Sequence, residues 1–489
     1  MQTPTAISPP APDRQASGRS RSLRPVAILL VTVLMGLGLG RFALAGGDGD
    51  GDGSAAPVAR AGPESAAASV ARLQAQLSAQ PDQPRLLTRL GLAQLARARE
   101  SADPTAYRAA EQALERALAL APGDPDTLTG LGTLALARHD FRGALARGEQ
   151  ARRAAPDATE PLAVIADAQV ELGRYQQATA TVQAMVDRRP DLRSLSRVSY
   201  LRELHGDHAG AVTAMAEAVV AGAGAPTDRA DVRTLLGDLH LATGRLDQAR
   251  SAYERALAEA VRRPGGPSQG QAPARPGSGH PPAEVGLARV AAARGDLAGA
   301  AARLRPVVDR RPEPGSVALL GDLEAALGRG EAAAAQYGLV RAIEQVNRAN
   351  GVAVDLELAR FEADHARDRS GDPARALALA RAAVRERPTI FASDTLGWAL
   401  RQAGRAREAL PHARAAVRLG TGDAQLWYHL ASVEADLGQR TAARRNLARA
   451  LALNPHLTVR DLPDARRLAA SLGLALSRDG RPTAAAAIR

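Results

Sequence analysis

Residues Pro125 to Asp157, PDTLTGLGTLALARHDFRGALARGEQARRAAPD, set the pattern that organises most of the chain. Leu128, Leu131-Gly132, Ala144, Ala151 and Pro156 are its landmarks, and the next stretch, from Thr159 to Pro190, repeats them as Leu162, Ile165-Ala166, Gly173, Ala178 and Pro190. Self-similarity at about 34 residues is the mark of a helical repeat array. Further copies show Leu236-Gly237, Gly244, Ala249, Tyr253 and Ala256, then Leu287, Gly295, Ala300 and Pro312. They continue as Leu320-Gly321, Gly328, Ala333 and Tyr337, then Gly371, Ala376, Ala383 and Pro388. The last two give Leu396-Gly397, Gly404, Ala409 and Ala416, then Trp427, Leu430, Gly438, Ala443, Ala450 and Pro455.

This pattern resembles the tetratricopeptide repeat (TPR) family from about Pro84 to His456. The resemblance implies an all-α fold, a right-handed superhelical solenoid of helix-turn-helix units. Each unit pairs antiparallel helices A and B, and small residues at the Gly/Ala positions let the two axes approach. Gly173, Gly206, Gly244, Gly295, Gly328, Gly371, Gly404 and Gly438 are expected to end A helices in the left-handed conformation. The first unit, with Leu90-Gly91, Ala110, Ala117 and Pro122, carries an insertion around Arg97 to Pro104 that lengthens helix A or its turn.

Composition agrees with helices. Of 489 residues 45% are hydrophobic but only 2% aromatic, too few for the pleated faces of a large sheet protein. The net charge of +11 rests on arginine alone, since lysine is absent. That is what a GC-rich coding sequence produces, so arginine abundance is not evidence for a polyanion. With no cysteine, disulfides and thiolate chemistry are excluded.

The ends frame seven segments. Residues 1–24 are basic and low in apolar content, with Arg14, Arg19, Arg21 and Arg24 against Asp13. Residues 25–45 contain an apolar run, Val26 to Leu39, and close on Ala43-Leu44-Ala45, the pattern of a secretory signal peptide or a single transmembrane anchor. Either reading puts the remainder outside the cytoplasm, membrane-anchored or secreted. Residues 46–64 form a Gly/Asp linker. Its Asp48, Asp50 and Asp52 mimic the start of a calcium loop, but Ala59 stands where a bidentate Glu is required. Residues 65–262 and 283–456 are two parts of the array, joined by a Pro/Gly-rich loop at 263–282 that either bulges out or divides the stack. Ser65 to Gln80 reads as a lone leading helix with Leu73 and Leu77. Residues 457–489 supply an amphipathic capping helix, Asp464 to Leu476, and a disordered tail from Ser477.

No catalytic constellation is present, and no phosphate loop, nucleophile elbow or dinucleotide fingerprint. His205 and His208 lack a third metal ligand. The arginine pairs, such as Arg152-Arg153 and Arg444-Arg445, fall near helix C-termini with no interleaved aromatics, which argues against nucleic acid. No cofactor and no small-molecule substrate is expected. The function implied is a non-enzymatic scaffold that binds a partner polypeptide in its concave groove; the alternative is an accessory subunit of an envelope enzyme or export complex.

The resemblance places groove positions two, five, nine and twelve of each A helix toward the partner. The basic clamp that one TPR subgroup uses on acidic tails is missing here. Thr129 and Thr133, Ala163 and Asp167, Thr234 and Asp238, or Ala318 and Asp322 stand in its place, giving a mildly acidic groove. At the C-terminal end Phe391, Asp394, Trp398, Arg401 and Tyr428 fall on groove positions, the aromatic and arginine chemistry of interface hot spots. Trp398 and Tyr428 have an alternative reading as packing residues, and Trp427 fills the consensus core slot.

Overall fold

The computed structural model describes residues 65–222, 226–261, 279–366 and 370–483. The calcium-like motif, the signal or anchor segment and most of the Pro/Gly-rich loop lie outside them. The described residues hold 22 α-helices and one isolated β-bridge. Helix α1 (Ala66–Ala79) leads. Five hairpins follow: α2 (Pro84–Ser101) with α3 (Ala106–Leu120), α4 (Pro125–Ala137) with α5 (Phe141–Ala154), α6 (Glu160–Glu171) with α7 (Tyr175–Arg188), α8 (Leu192–Leu204) with α9 (His208–Ala221), and α10 (Pro226–Ala242) with α11 (Leu246–Val261). Five more are α12 (Pro281–Ala293) with α13 (Leu297–Arg310), α14 (Pro314–Ala326) with α15 (Gly330–Ala349), α16 (Asp355–Asp364) with α17 (Pro373–Glu386), α18 (Ile390–Gln402) with α19 (Ala406–Ala416), and α20 (Ala424–Asp436) with α21 (Arg440–Leu453). Helix α22 (Asp461–Ser471) ends the stack.

Each hairpin is closed by local chemistry. Asp140, Asp207 and Asp296 cap B helices by accepting from the backbone N–H of the glycine three residues on. The turn that precedes each cap needs a positive φ, met at Gly206 (+79°) and Gly295 (+87°) and, without glycine, at His139 (+61°). Gly371 differs from the sequence expectation. It lies beyond the end of α16, where its N–H donates to the His365 carbonyl at 2.7 Å. The small A-helix residues are held by close approach. A Cβ on Gly237 or on Gly286 would meet the Tyr253 ring at about 2.5 or 2.4 Å, so this ring is sandwiched between α10 and α12. That contact carries the apolar core from α11 into α12, past the Pro/Gly-rich loop.

The solenoid also touches itself. His139 Nδ1 meets the Ala353 carbonyl at 2.7 Å, 214 residues on; the Tyr175 hydroxyl accepts from Ile390 N at 3.0 Å, 215 residues on; Asn454 Nδ2 donates to the Leu241 carbonyl at 3.1 Å, 213 residues away. The constant spacing means that the A–B turn of one hairpin sits on the start of the A helix six hairpins later. Successive superhelical turns therefore meet along a seam. The seam is tight at Gly173 and Gly206, where a Cβ would stand 2.5 Å from the Pro388 and Gly420 carbonyl oxygens. Winding this close fills much of the axis. Every residue of α6 from Pro161 to Glu171 is buried, and Ile390, Ala416 and Leu426 join the core built by α4 to α10.

Three regions depart from the sequence expectations. The hairpin of α8 and α9 and the ten-residue α16 lack the Leu-Gly landmark: the sequence marks the first by Gly206 alone, and the second only from Gly371 through Ala376, Ala383 and Pro388, without its A helix. Helix α15 runs 20 residues, well beyond its neighbours. The tail from Ser477 to Thr483 is folded rather than disordered: Leu476 bridges to Pro482, and Arg481 donates to the carbonyl of Ala452 on α21 and, across the seam, to that of Thr243. Among the described residues no helix is long and apolar enough to cross a membrane.

Gly206→Ala tests the seam against Gly404→Ala. Both glycines have positive φ, but nothing lies within 4 Å of the Cβ position at Gly404. Gly404→Ala should cost only the left-handed strain, about 1–2 kcal/mol. Gly206→Ala should lose a further ~1–3 kcal/mol of overpacking and widen the particle, seen in chemical denaturation and solution scattering. Equal losses for the two would show that the seam contributes nothing.

Candidate functional site

The inward faces of the A helices leave two openings. The first is a cavity of about 270 Å³ with walls from α2, α3, α4, α10, α12, α14, α15, α16, α18 and α20. Leu95, Val285, Val340, Ile343, Phe361 and Leu426 supply its apolar lining. The second is a more open cleft of about 760 Å³ between α18, α20 and α22.

The sequence-derived groove residues divide between these places. Asp238, Asp322 and Phe391 line the cavity, and Trp398, Arg401 and Tyr428 line the cleft. Asp167 lines neither; it is held by both Nε and Nη2 of Arg197 at 2.8 and 2.6 Å. Asp394, only 1% exposed, lies behind the lining, accepting from His429 at 2.9 Å and Arg360 at 3.1 Å. Trp398 and Tyr428 are buried, with Trp398 stacked on His429 at 3.9 Å between ring centroids and Arg401 4.9 Å above its ring. These two aromatics hold helices together as well as bordering the cleft.

The groove acids are not a free negative surface. Tyr253 donates its hydroxyl to Asp238 at 2.7 Å and Tyr337 donates to Asp322 at 3.0 Å, both across 15 residues within one hairpin. Arg289 pairs with Asp238 at 3.4 Å, and His365 meets Asp322 at 2.9 Å. A buried carboxylate held this way is compensated. The recurring Asp and Tyr spacing was visible in the sequence as consensus tyrosines; their partners were not.

Sequence reading missed the most concentrated charge. Arg387, 4% exposed, bonds Glu357 at 2.8 Å, lies 3.9 Å from Glu171, and sits 5.3 Å over the Phe141 ring. Glu171 and Phe141 belong to one superhelical turn and Arg387 and Glu357 to the next, so this guanidinium fastens the seam. Burial pushes the Glu171 carboxyl up to about 7. Nothing about an Arg before Pro388 marks it among 63 basic residues.

Arg387→Gln should be among the costlier substitutions in the chain. It leaves two buried carboxylates without their cation, a loss of about 3–5 kcal/mol. Urea denaturation measures it; a change under about 1 kcal/mol would show the pair to be hydrated in solution.

Several buried acids make stability depend on pH. Burial raises Glu171 to about 7 and Glu344 to about 8, with Glu357 adding repulsion at Glu344, and it raises Asp423 to about 6. The folded state holds protons that the unfolded chain has released, so stability falls as pH rises through these values. The opposite sign belongs to His208, held down to about 4, and His139, also lowered by burial, which act only below their ordinary 6.5. Between pH 6.5 and 8 the acids act alone. The melting temperature should fall across that window and fall less in Glu344→Gln; a rising melting temperature would contradict the burial of these carboxyls.

Comparison with known proteins follows the same architecture. One family model described as tetratricopeptide repeat matches residues 135–203, and a second with that description matches 205–267 and 430–488. No curated protein matches. Among solved structures, a thermophilic TPR protein of Thermus thermophilus is 25% identical, covering 37% of this chain and 93% of its own, with a TM-score of 0.33. A tetratricopeptide repeat protein from Parabacteroides merdae is 17% identical over 53% of this chain and 97% of its own, at 0.37. The human IFIT1 dimer with PPP-AAAA is 15% identical over 72% and 77%, at 0.43. The hairpins seen here, with the family matches lying on them, show that this chain carries tetratricopeptide repeats.

Proposed function

We propose that the protein is a non-enzymatic, extracytoplasmic scaffold, tethered or exported through its N-terminal segment, that holds a partner polypeptide at the inner face of the solenoid. TPR proteins are generally protein-interaction scaffolds, and this chain carries such repeats on three matched stretches. The observation that carries the reading is the inner face itself. It offers a cavity and a cleft in which charged groups sit beside apolar walls, the mixture that recognises a segment of polypeptide.

The extracytoplasmic placement rests on the sequence order of four arginines, an apolar run and an acidic linker. Preformed geometry limits the ordering cost of binding, because the seam fixes the A helices before a partner arrives.

Affinity capture with the full chain from native envelope membranes, followed by mass spectrometry, is the decisive experiment. The expected result is one protein enriched near stoichiometry from the envelope and lost when Phe391 is changed to Asp in the cavity wall. An enzyme or export component as the captured protein would favour the accessory-subunit form of this reading. Enrichment from cytosol alone, or a reporter fused after residue 64 that is active only in the cytoplasm, would overturn the placement.

A further inference from the structure

Helix α15 breaks the repeat. Its hairpin partner α14 has 13 residues, whereas α15 has 20, and its C-terminal end reaches the first superhelical turn, where Arg108 donates to the Ala349 carbonyl at 2.6 Å. The extension and the residues after it, Ile343, Glu344, Asn347, Val352 and Val354, form one side of the 270 Å³ cavity. A regular unit would not supply that wall.

The buried residues of α15 are Ala333, Tyr337, Val340 and Glu344. The last inward position, on the extension, is thus a carboxylic acid, 4% exposed, in a place where Leu or Ala would complete the packing. Its Oε2 has no hydrogen-bond partner, and neither does Oε2 of Glu357, the neighbouring acid on α16. Unpaired buried oxygens are costly and call for a donor.

The cavity is short of positive charge. Its lining residues include seven carboxylates against four guanidiniums. The cations are engaged with acids: Arg289 with Asp238, Arg311 with Glu313, Arg360 with Asp364, and Arg99 in the field of Asp228 and Asp231. Around Glu344 itself stand Glu357 from α16, and Asn347 and Arg348 on its own helix. Asn347 hydrogen-bonds the carboxyl without bringing charge, and Arg348 is paired with Asp355 at 2.9 Å. Behind Glu357 are His139, which burial keeps neutral, and Arg387, already bonded to it. Among the described residues no cluster of histidines and acids is able to hold a metal ion.

We propose that this cavity binds an alkylammonium or alkylguanidinium group, the basic side chain of a bound polypeptide, with its charged end at Glu344 and Glu357 and its stem along Val340, Ile343 and Phe361. This rests on the scaffold reading and names the chemistry of the partner. The amine or guanidine donates to both free oxygens, and the apolar wall takes the methylenes. Glu344 holds a proton at neutral pH, so the cation replaces it. Binding at pH 7 then releases about one proton, and affinity rises about tenfold per unit up to pH 8.

The test uses the full-length chain, titrated by calorimetry at pH 6, 7 and 8 with n-butylguanidinium, n-butylammonium and n-butanol. A capped peptide with one central arginine is the fourth ligand. The two cations and the peptide should bind, n-butanol should not, proton release should appear in buffers of different ionisation enthalpy, and Glu344→Gln should weaken binding at least tenfold. Glutamine keeps the shape of the protonated acid, so the variant retains the fold, verified by circular dichroism. Binding of the small cations with exclusion of the peptide would overturn the side-chain assignment. No binding by either class at pH 8, or binding unchanged in Glu344→Gln, would overturn the site. If envelope capture persists in that case, the scaffold reading stands without it.

Discussion

The structure depends on how closely two helices approach at a residue with no side chain. A single hairpin has an apolar face it cannot cover, and only stacking buries it. At Gly237 and Gly286 the approach is so close that one tyrosine ring fills the whole gap between two A helices. Repeating that spacing fixes the rotation from one hairpin to the next, and the rotation decides everything at larger scale. Here it brings the chain back onto itself after six hairpins. A slightly larger interhelical distance would open the pitch and separate the turns.

Contact between turns changes the kind of object this is. An open solenoid behaves as a one-dimensional stack, in which each unit feels only its neighbours. The seam adds contacts across more than 200 residues, at Tyr175 with Ile390 and at Asn454 with Leu241. Stability then becomes less local, because separating the turns breaks contacts in several hairpins at once. Trp398 and Tyr428, on positions that would face a ligand in an open groove, are buried instead within the core that α16 to α22 build among themselves.

Sequence and structure agree where the physics is local. The hairpins were legible because small residues, αL glycines and terminal prolines recur at fixed spacing, and each acts within one unit. Gly173 and Gly404 look alike in the sequence and have the same sign of φ, yet only Gly173 lies against another turn. Arg387 and Glu171 are 216 positions apart by their numbers, and nothing in either neighbourhood announces the other. The α16 hairpin was legible only through Gly371 and its B helix, because Ala359 and Ala363 provide the close approach of its A helix in place of a Leu-Gly pair. The order of the tail from Ser477 to Thr483 was hidden for the same reason: its partners, Ala452 and Thr243, belong to other hairpins.

Departures from the repeat point to function more directly than the repeat itself, since packing between helices accounts for the apolar positions that recur in every hairpin. Most groove acids have a structural explanation once their partners are seen: Asp167 with Arg197, Asp322 with Tyr337 and His365, Asp394 with His429. Glu344 does not, because its Oε2 is buried with no donor, on a stretch of helix that the hairpin does not need. A protein selected only for stability would place an apolar side chain there. The extension that carries it also builds the cavity wall, so the cavity and its unpaired buried acid arise from one irregularity in the chain.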